Sequence, residues 1–184
     1  MKRTIAFALT ILLLLTGCAS RRQDENEWKT WQGDLARAEE VSFTAAIVSR
    51  SGTEEVSFTA EVRRENGRTT LTVTGPETIR GVTAVTEDGS ERLEYEDLIL
   101  ELHALDGDAL PPCAAGDLLL RGASEGWLLW TGQSGEYRTA AFQGPGGETV
   151  TLWRGQDGAP VCAEIARGES PELTVSVSNW KFKE

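Results

Sequence analysis

From residue 41 onward the chain alternates apolar and polar residues with a period of two, and this rhythm constrains the fold more than any other feature. Val41-Phe43-Ala45-Ile47, Val56-Phe58-Ala60-Val62 and Leu71-Val73 each interleave with Ser, Thr, Glu or Arg, the pattern of a strand with one buried face. Turn residues interrupt the alternation at short intervals: Ser51-Gly52, Asn66-Gly67, Gly75-Pro76, Asp88-Gly89, Ser134-Gly135, Gly144-Pro145-Gly146-Gly147, Asp157-Gly158 and Gly168. Sequential antiparallel hairpins follow, with about ten strands near residues 41–50, 54–64, 68–75, 79–87, 90–102, 126–131, 135–143, 147–154, 159–167 and 171–182. Within 90–102 the apolar set changes phase, from Leu93 and Tyr95 to Leu98, Leu100 and Leu102, which predicts a bulge near Glu96-Asp97.

So wide a sheet cannot stay flat, because accumulated twist curls it, and its apolar face must be covered by itself or by helices. Two helical segments are available. Glu27 to Glu40 places Trp28, Trp31, Leu35 and Ala38 on one helical stripe, with Asp24 or Asn26 as N-cap. Between Ala104 and Glu125, Pro111-Pro112 precedes Ala114, Ala115 and Leu118 to Leu120, which reads as a loop and a short second helix. The expected fold is mainly β: a curved antiparallel half-barrel over residues 27–184, closed by an N-terminal helix and a short mid-chain helix. Its solvent face is the threonine-rich one, carrying Thr70, Thr72, Thr74, Thr149 and Thr151.

The first eighteen residues have a separate logic. Lys2 and Arg3 precede an apolar run from Ile5 to Leu15, shorter than the roughly 20 residues a spanning helix needs, and the run ends in Leu15-Thr16-Gly17-Cys18. These are the parts of a lipoprotein signal peptide with a lipobox, so residues 1–17 are expected to be removed and Cys18 diacylated. Residues 18–26 then form a polar tether. Two acyl chains anchor stably where one does not, each buried methylene contributing about 0.8 kcal/mol. The expected location is the extracytoplasmic face of the cell membrane, with the membrane as partner through Cys18. Removing Lys2 and Arg3 leaves 16 basic against 29 acidic residues, a mature charge of −13. That charge argues against nucleic acid and against adsorption to anionic lipid.

With Cys18 assigned to lipid, Cys113 and Cys162 remain, in a chain exported to an oxidising compartment. Two readings stand: a disulfide closing a loop of about 50 residues, worth roughly 4 kcal/mol, or two reduced cysteines packed as small hydrophobes. Catalysis finds little support. His103 is the one histidine, and no Ser or Cys motif accompanies it. Asp106-Gly107-Asp108 lacks further oxygen ligands at calcium-loop spacing, and Cys113, Cys162 and His103 match no compact zinc motif. Glu39-Glu40, Glu54-Glu55 and the group Glu94, Glu96, Asp97 sit at turns or alternate with apolar residues, as solvating charge does. Gly144, Gly146 and Gly147 join two strands, with no helix N-terminus to receive a phosphate. The expectation is a chain that is not an enzyme and needs no cofactor and no metal.

The aromatic residues give the one hint of a ligand site. Trp127, Trp130 and Trp153 fall in neighbouring strands after the second helix, with Phe142 and Trp180 nearby. Strand parity places Trp127 and Trp130 on opposite faces, so one of them is exposed or lines a hollow. A hydrophobic site of Trp127, Trp130, Phe142 and Trp153 would suit an acyl chain. The alternative is that these rings fill the space between sheet and helices.

The lipobox, the single helix before the sheet, the run Leu71-Thr72-Val73-Thr74-Gly75-Pro76-Glu77 with Gly81-Val82 after it, Leu93-Glu94-Tyr95 and the turn Gly158-Ala159-Pro160 together resemble the LolA-like superfamily, whose type member is the outer-membrane lipoprotein carrier. The similarity spans most of residues 41–180 and is one of strand rhythm and turn placement. Within that group the chain is most similar to lipid-anchored germination lipoproteins of spore-forming bacteria. The resemblance implies a non-catalytic role of one of two kinds. A germination lipoprotein complexes a cell-wall enzyme, an amidase of the spore cortex, whereas a carrier or acceptor holds acyl chains in its hollow. A lipid tether at Cys18 counts against a diffusing shuttle, which makes a partner-binding adaptor the leading reading and a lipid or lipoprotein acceptor the alternative.

Overall fold

The computed structural model describes residues 22–51, 54–102 and 110–183. Among these residues, eleven strands form one antiparallel sheet: β1 (Glu40–Ser51), β2 (Glu54–Glu65), β3 (Arg68–Gly75), β4 (Thr83–Glu87), β5 (Ser90–Tyr95), β6 (Leu98–Leu102), β7 (Trp127–Ser134), β8 (Tyr137–Gln143), β9 (Thr149–Arg154), β10 (Pro160–Ala166) and β11 (Leu173–Lys183). The spatial order is β6-β5-β4-β3-β2-β1-β11-β10-β9-β8-β7. Each half of the chain is a meander. The two halves join where the first strand pairs with the last, Ala45 opposite Val177 and Ile47 opposite Val175.

Eleven strands appear where ten are expected because the phase change at Glu96-Asp97 is a reversal, not a bulge. The chain turns through these two residues, Glu96 adopting a left-handed φ of 51°, and Tyr95 pairs directly with Leu98. A two-residue hairpin and a bulge both shift apolar parity, so alternation alone does not distinguish them. The strand expected from residue 79 begins later, at Thr83, after a 3₁₀ turn over Glu77–Ile79.

Helix α1 spans residues 22–37 and turns Trp28, Trp31 and Leu35 into the concave face. It starts earlier than its apolar stripe, so neither Asp24 nor Asn26 is its cap, and residues 22–26 of the expected tether are helical. A second 3₁₀ turn, Pro112–Ala114, leads into α2 (Ala115–Glu125). This helix follows β6 at one edge of the sheet in sequence and ends just before β7 at the other. Ala115, Leu119, Leu120 and Ala123 face the sheet. Contact is closest at Gly122, where a built Cβ would lie 2.4 Å from Val150 Cγ2. Among the described residues, no helix is long and apolar enough to cross a membrane.

Candidate functional site

The concave face is the natural place to seek a ligand, and here it is solid core. Phe43, Ala45 and Ile47 of β1 continue into Ala60 and Val62 of β2 on one side. On the other side they continue into Val175 of β11, Ile165 of β10, Leu152 of β9 and Phe142 of β8. Trp28 of α1, 2% exposed, stands edge-on to Phe142 and to Trp31, with ring centroids 5.9 and 5.6 Å away. Trp31 in turn meets Trp180, which stacks on Phe43 at 5.1 Å. Such rings bury large area and prefer edge-on or offset geometry, so the arrangement is a packed plug rather than a lined cavity.

A charge is enclosed in that plug. The Arg154 guanidinium lies 4.7 Å from the Trp28 ring centre and 4.8 Å from that of Trp31, a double cation–π contact, and its Nε donates to Gly158 O at 2.8 Å. Burial, reinforced by the nearby Arg138 charge, lowers its pKa to about 10. Arg138 itself pairs with Glu27, which ties β8 to α1. At the other end of α1, Arg64 of β2 donates to Leu35 O at 2.7 Å and to Ser124 Oγ at 3.1 Å, joining both helices to the sheet.

Beside this clamp opens a polar cleft of about 360 Å³ whose walls include Arg64, Thr69, Asp117, Arg121, Ser124 and Glu125. Asp117 is buried and accepts a 2.9 Å hydrogen bond from Thr69, with Arg121 at 3.7 Å. Burial raises its pKa, an effect the Thr69 bond and Arg121 oppose. Ser124 donates to Leu120 O, so its hydroxyl is held by the helix backbone and by Arg64. These groups satisfy one another. Among the described residues, no group of three or more His, Cys, Asp or Glu could hold a metal.

The residues singled out from sequence divide between the two faces. Cys18, His103, Asp106 and Asp108 lie outside the described residues. Cys113, in the 3₁₀ turn before α2, packs against the concave core, whereas Cys162 pairs across strands with Trp153 and Ser176 on the convex face. Both are free thiols, so the disulfide considered from sequence is not formed: the sheet itself stands between them. Burial pushes both thiols up in pKa, with Glu91 adding to the effect at Cys113 and Glu164 at Cys162, which opposes thiolate reactivity.

The four aromatic residues do not line one hollow. Phe142 is concave and fully buried. Trp153 is convex, between the inward-facing Leu152 and Arg154. A bulge between Leu128 and Trp130 resets the parity of β7, so Trp127 opposite Gln143 and Trp130 opposite Ala141 share the convex face. Trp127 is 78% exposed and Trp130 44%. The parity argument fails because one inserted residue flips the side chains after it. The residues that do fill the hollow, Trp28 and Trp31, were legible in the sequence only as a helical stripe.

Apolar exposure concentrates at the two sheet edges. Trp127, Leu129 and Trp130 mark β7, and Leu98, Ile99 and Leu100 mark β6.

No protein-family model and no curated protein matches the chain. Solved structures do. A LolA superfamily protein from Nitrosomonas europaea is 14% identical over 83% of this chain and 91% of that one, with a TM-score of 0.44. A chain in the structure of the CwlD amidase from Clostridioides difficile in complex with the GerS lipoprotein is 14% identical over 86% of this chain and 95% of that one, at a TM-score of 0.47. The Mycobacterium tuberculosis lipoprotein LppX is 16% identical over 82% and 92%, at 0.39.

Proposed function

We propose that this chain is a non-enzymatic envelope lipoprotein, anchored through diacylated Cys18 at the extracytoplasmic face of the membrane, that acts as an adaptor for a protein partner. The resemblance to germination lipoproteins names a cell-wall enzyme as the class of partner. The observation that supports the adaptor over the acyl-chain acceptor is the filled hollow. Trp28, Leu35, Leu119, Leu120 and Phe142, all 2% exposed or less, occupy the space an acyl chain would need. Binding then falls to the outer surface and the sheet edges. An apolar recess of about 560 Å³ at the end of β1 and β2, walled by Ile47, Phe58 and Pro76 among others, favours the acceptor reading; it is open to solvent rather than enclosed.

The lipidated protein, released from its own envelope in mild detergent and taken directly into native mass spectrometry, tests both. A retained cell-wall hydrolase whose activity changes in the complex is the expected result. A stoichiometric acyl species beyond the lipid on Cys18, with no protein partner, would overturn the adaptor reading and replace it with the acceptor.

A further inference from the structure

We infer that the β6 edge is the docking site, and that its occupant is a basic, extended segment of another protein that adds to the sheet as a twelfth strand. The inference rests on the partner-binding reading above and gives it a location and a chemistry.

The core face runs off the end of its cover. One cross-strand row passes from Leu71 to Ala84, Leu93 and Leu100. Along it exposure rises from 2% at Leu71 and 8% at Ala84 to 55% at Leu100, with Leu93 half-buried. Leu98, on the same face, is 69% exposed, and Ile99, on the opposite face, 64%. Three consecutive apolar side chains are thus presented on both faces of a strand whose outer backbone groups, among the described residues, have no neighbour in the sheet. Long apolar edges are ready templates for strand addition, and soluble proteins usually blunt them with lysine, proline or a bulge. The five-residue segment Leu98-Ile99-Leu100-Glu101-Leu102 has none of these three, and its one charge is Glu101.

Charge selects the occupant. From Glu87 to Leu102 inclusive there are seven acidic residues and one basic residue, Arg92, which already pairs with Glu94 and Glu87. Glu96 and Asp97 have no salt bridge among the described residues, and Glu101, opposite Arg92 on the neighbouring strand, shares that one cation with Glu94 and Glu87. A second copy would bring the same acidic edge against this one, and an anionic bilayer would be repelled likewise. A strand with apolar residues facing Leu98 and Leu100 and Lys or Arg facing Glu101 and the Glu96-Asp97 turn matches both features.

The test uses the full lipidated chain in nanodiscs of zwitterionic lipid and two synthetic ten-residue peptides, one alternating valine with lysine and one alternating valine with glutamate. Anisotropy titrations should show binding of the lysine peptide alone, weakened about tenfold by the E96K/D97K/E101K variant. Amide hydrogen exchange should slow at residues 98–102 and stay unchanged along β7. Thermal unfolding of the L98D/L100D variant, whose altered residues are exposed, should match that of the parent while binding is lost. The inference is overturned if the lysine peptide fails to bind at roughly 100 μM, if the glutamate peptide binds equally, or if protection appears elsewhere. A dimer of the unliganded chain that L98D/L100D dissociates would assign the edge to a second copy instead, also against the inference. Because the peptides are synthetic, failure here leaves the adaptor reading intact, and failure to retain a hydrolase in the native complex leaves this edge chemistry intact.

Discussion

Replacing Trp28 by alanine tests whether α1 truly occupies the hollow. The ring is 2% exposed and contacts Trp31, Phe142 and the Arg154 guanidinium. A tryptophan buries about 200 Å², which at about 25 cal/mol/Å² corresponds to roughly 5 kcal/mol as an upper value. Large-to-small core substitutions of this kind cost about 3–5 kcal/mol once partial collapse of the cavity is included. The structure supports the upper half of that range, since the cation–π partner Arg154 would keep only Trp31. At about 2–4 °C per kcal/mol for a domain of this size, the midpoint should fall by about 8–20 °C. Scanning calorimetry of the purified domain, with urea unfolding to obtain the free energy, measures both. A loss below about 1 kcal/mol would refute the packing argument: α1 would then be a loosely held lid, the hollow would be available to a ligand, and the filled-core support for an adaptor would disappear.

Gly122→Ala should destabilise by about 1–3 kcal/mol, because its new methyl group would meet Val150 at a distance no real Cβ tolerates and α2 must lift from the sheet; urea midpoints measure this. Arg154→Lys should cost about 1–2 kcal/mol in the same assay, since an ammonium cannot stack between two indoles while bonding Gly158 O as the guanidinium does. Asp117 contributes a pH dependence of defined sign. Its folded pKa is raised, so between the unfolded value and the folded one the native state holds the proton more tightly, and stability from this group is full at low pH and is lost as pH rises through the folded pKa. Asp117→Asn, which keeps an acceptor for Thr69, should flatten the decline in unfolding free energy between acid and neutral pH; identical slopes in the two proteins would contradict the assignment. Cys113 and Cys162 should react with a thiol reagent far more slowly in the folded than in the urea-unfolded protein, both being partly buried with raised pKa.

The local rules worked wherever the burial of a side chain depends on its own strand or helix. The alternation in β1, β2 and β3 places Phe43, Val62 and Leu71 inward as read, and the outward threonines Thr72 and Thr151 fall on the opposite face. They failed where one residue of backbone geometry decides everything downstream. At Glu96-Asp97 a reversal and a bulge leave the same pattern, and at Leu128 to Trp130 an inserted residue put both tryptophans on one side. The candidate ligand site was legible only as a set of aromatic residues; its division between two faces was not.

The sequence by itself determined the class of elements, their number to within one, the helical stripe of Trp28, Trp31 and Leu35, and the acidic charge. Each of these is a property of consecutive residues, because periodicity and turn chemistry act over a few positions. Tertiary structure alone decided that β1 pairs with β11 at the middle of the sheet, that Cys113 and Cys162 are separated by it, and that the hollow is filled by α1 and α2 while β6, among the described residues, has no strand on its outer side. Periodicity states that a face must be buried, but which distant element buries it depends on contacts between residues more than a hundred positions apart, and a single sequence carries no record of those.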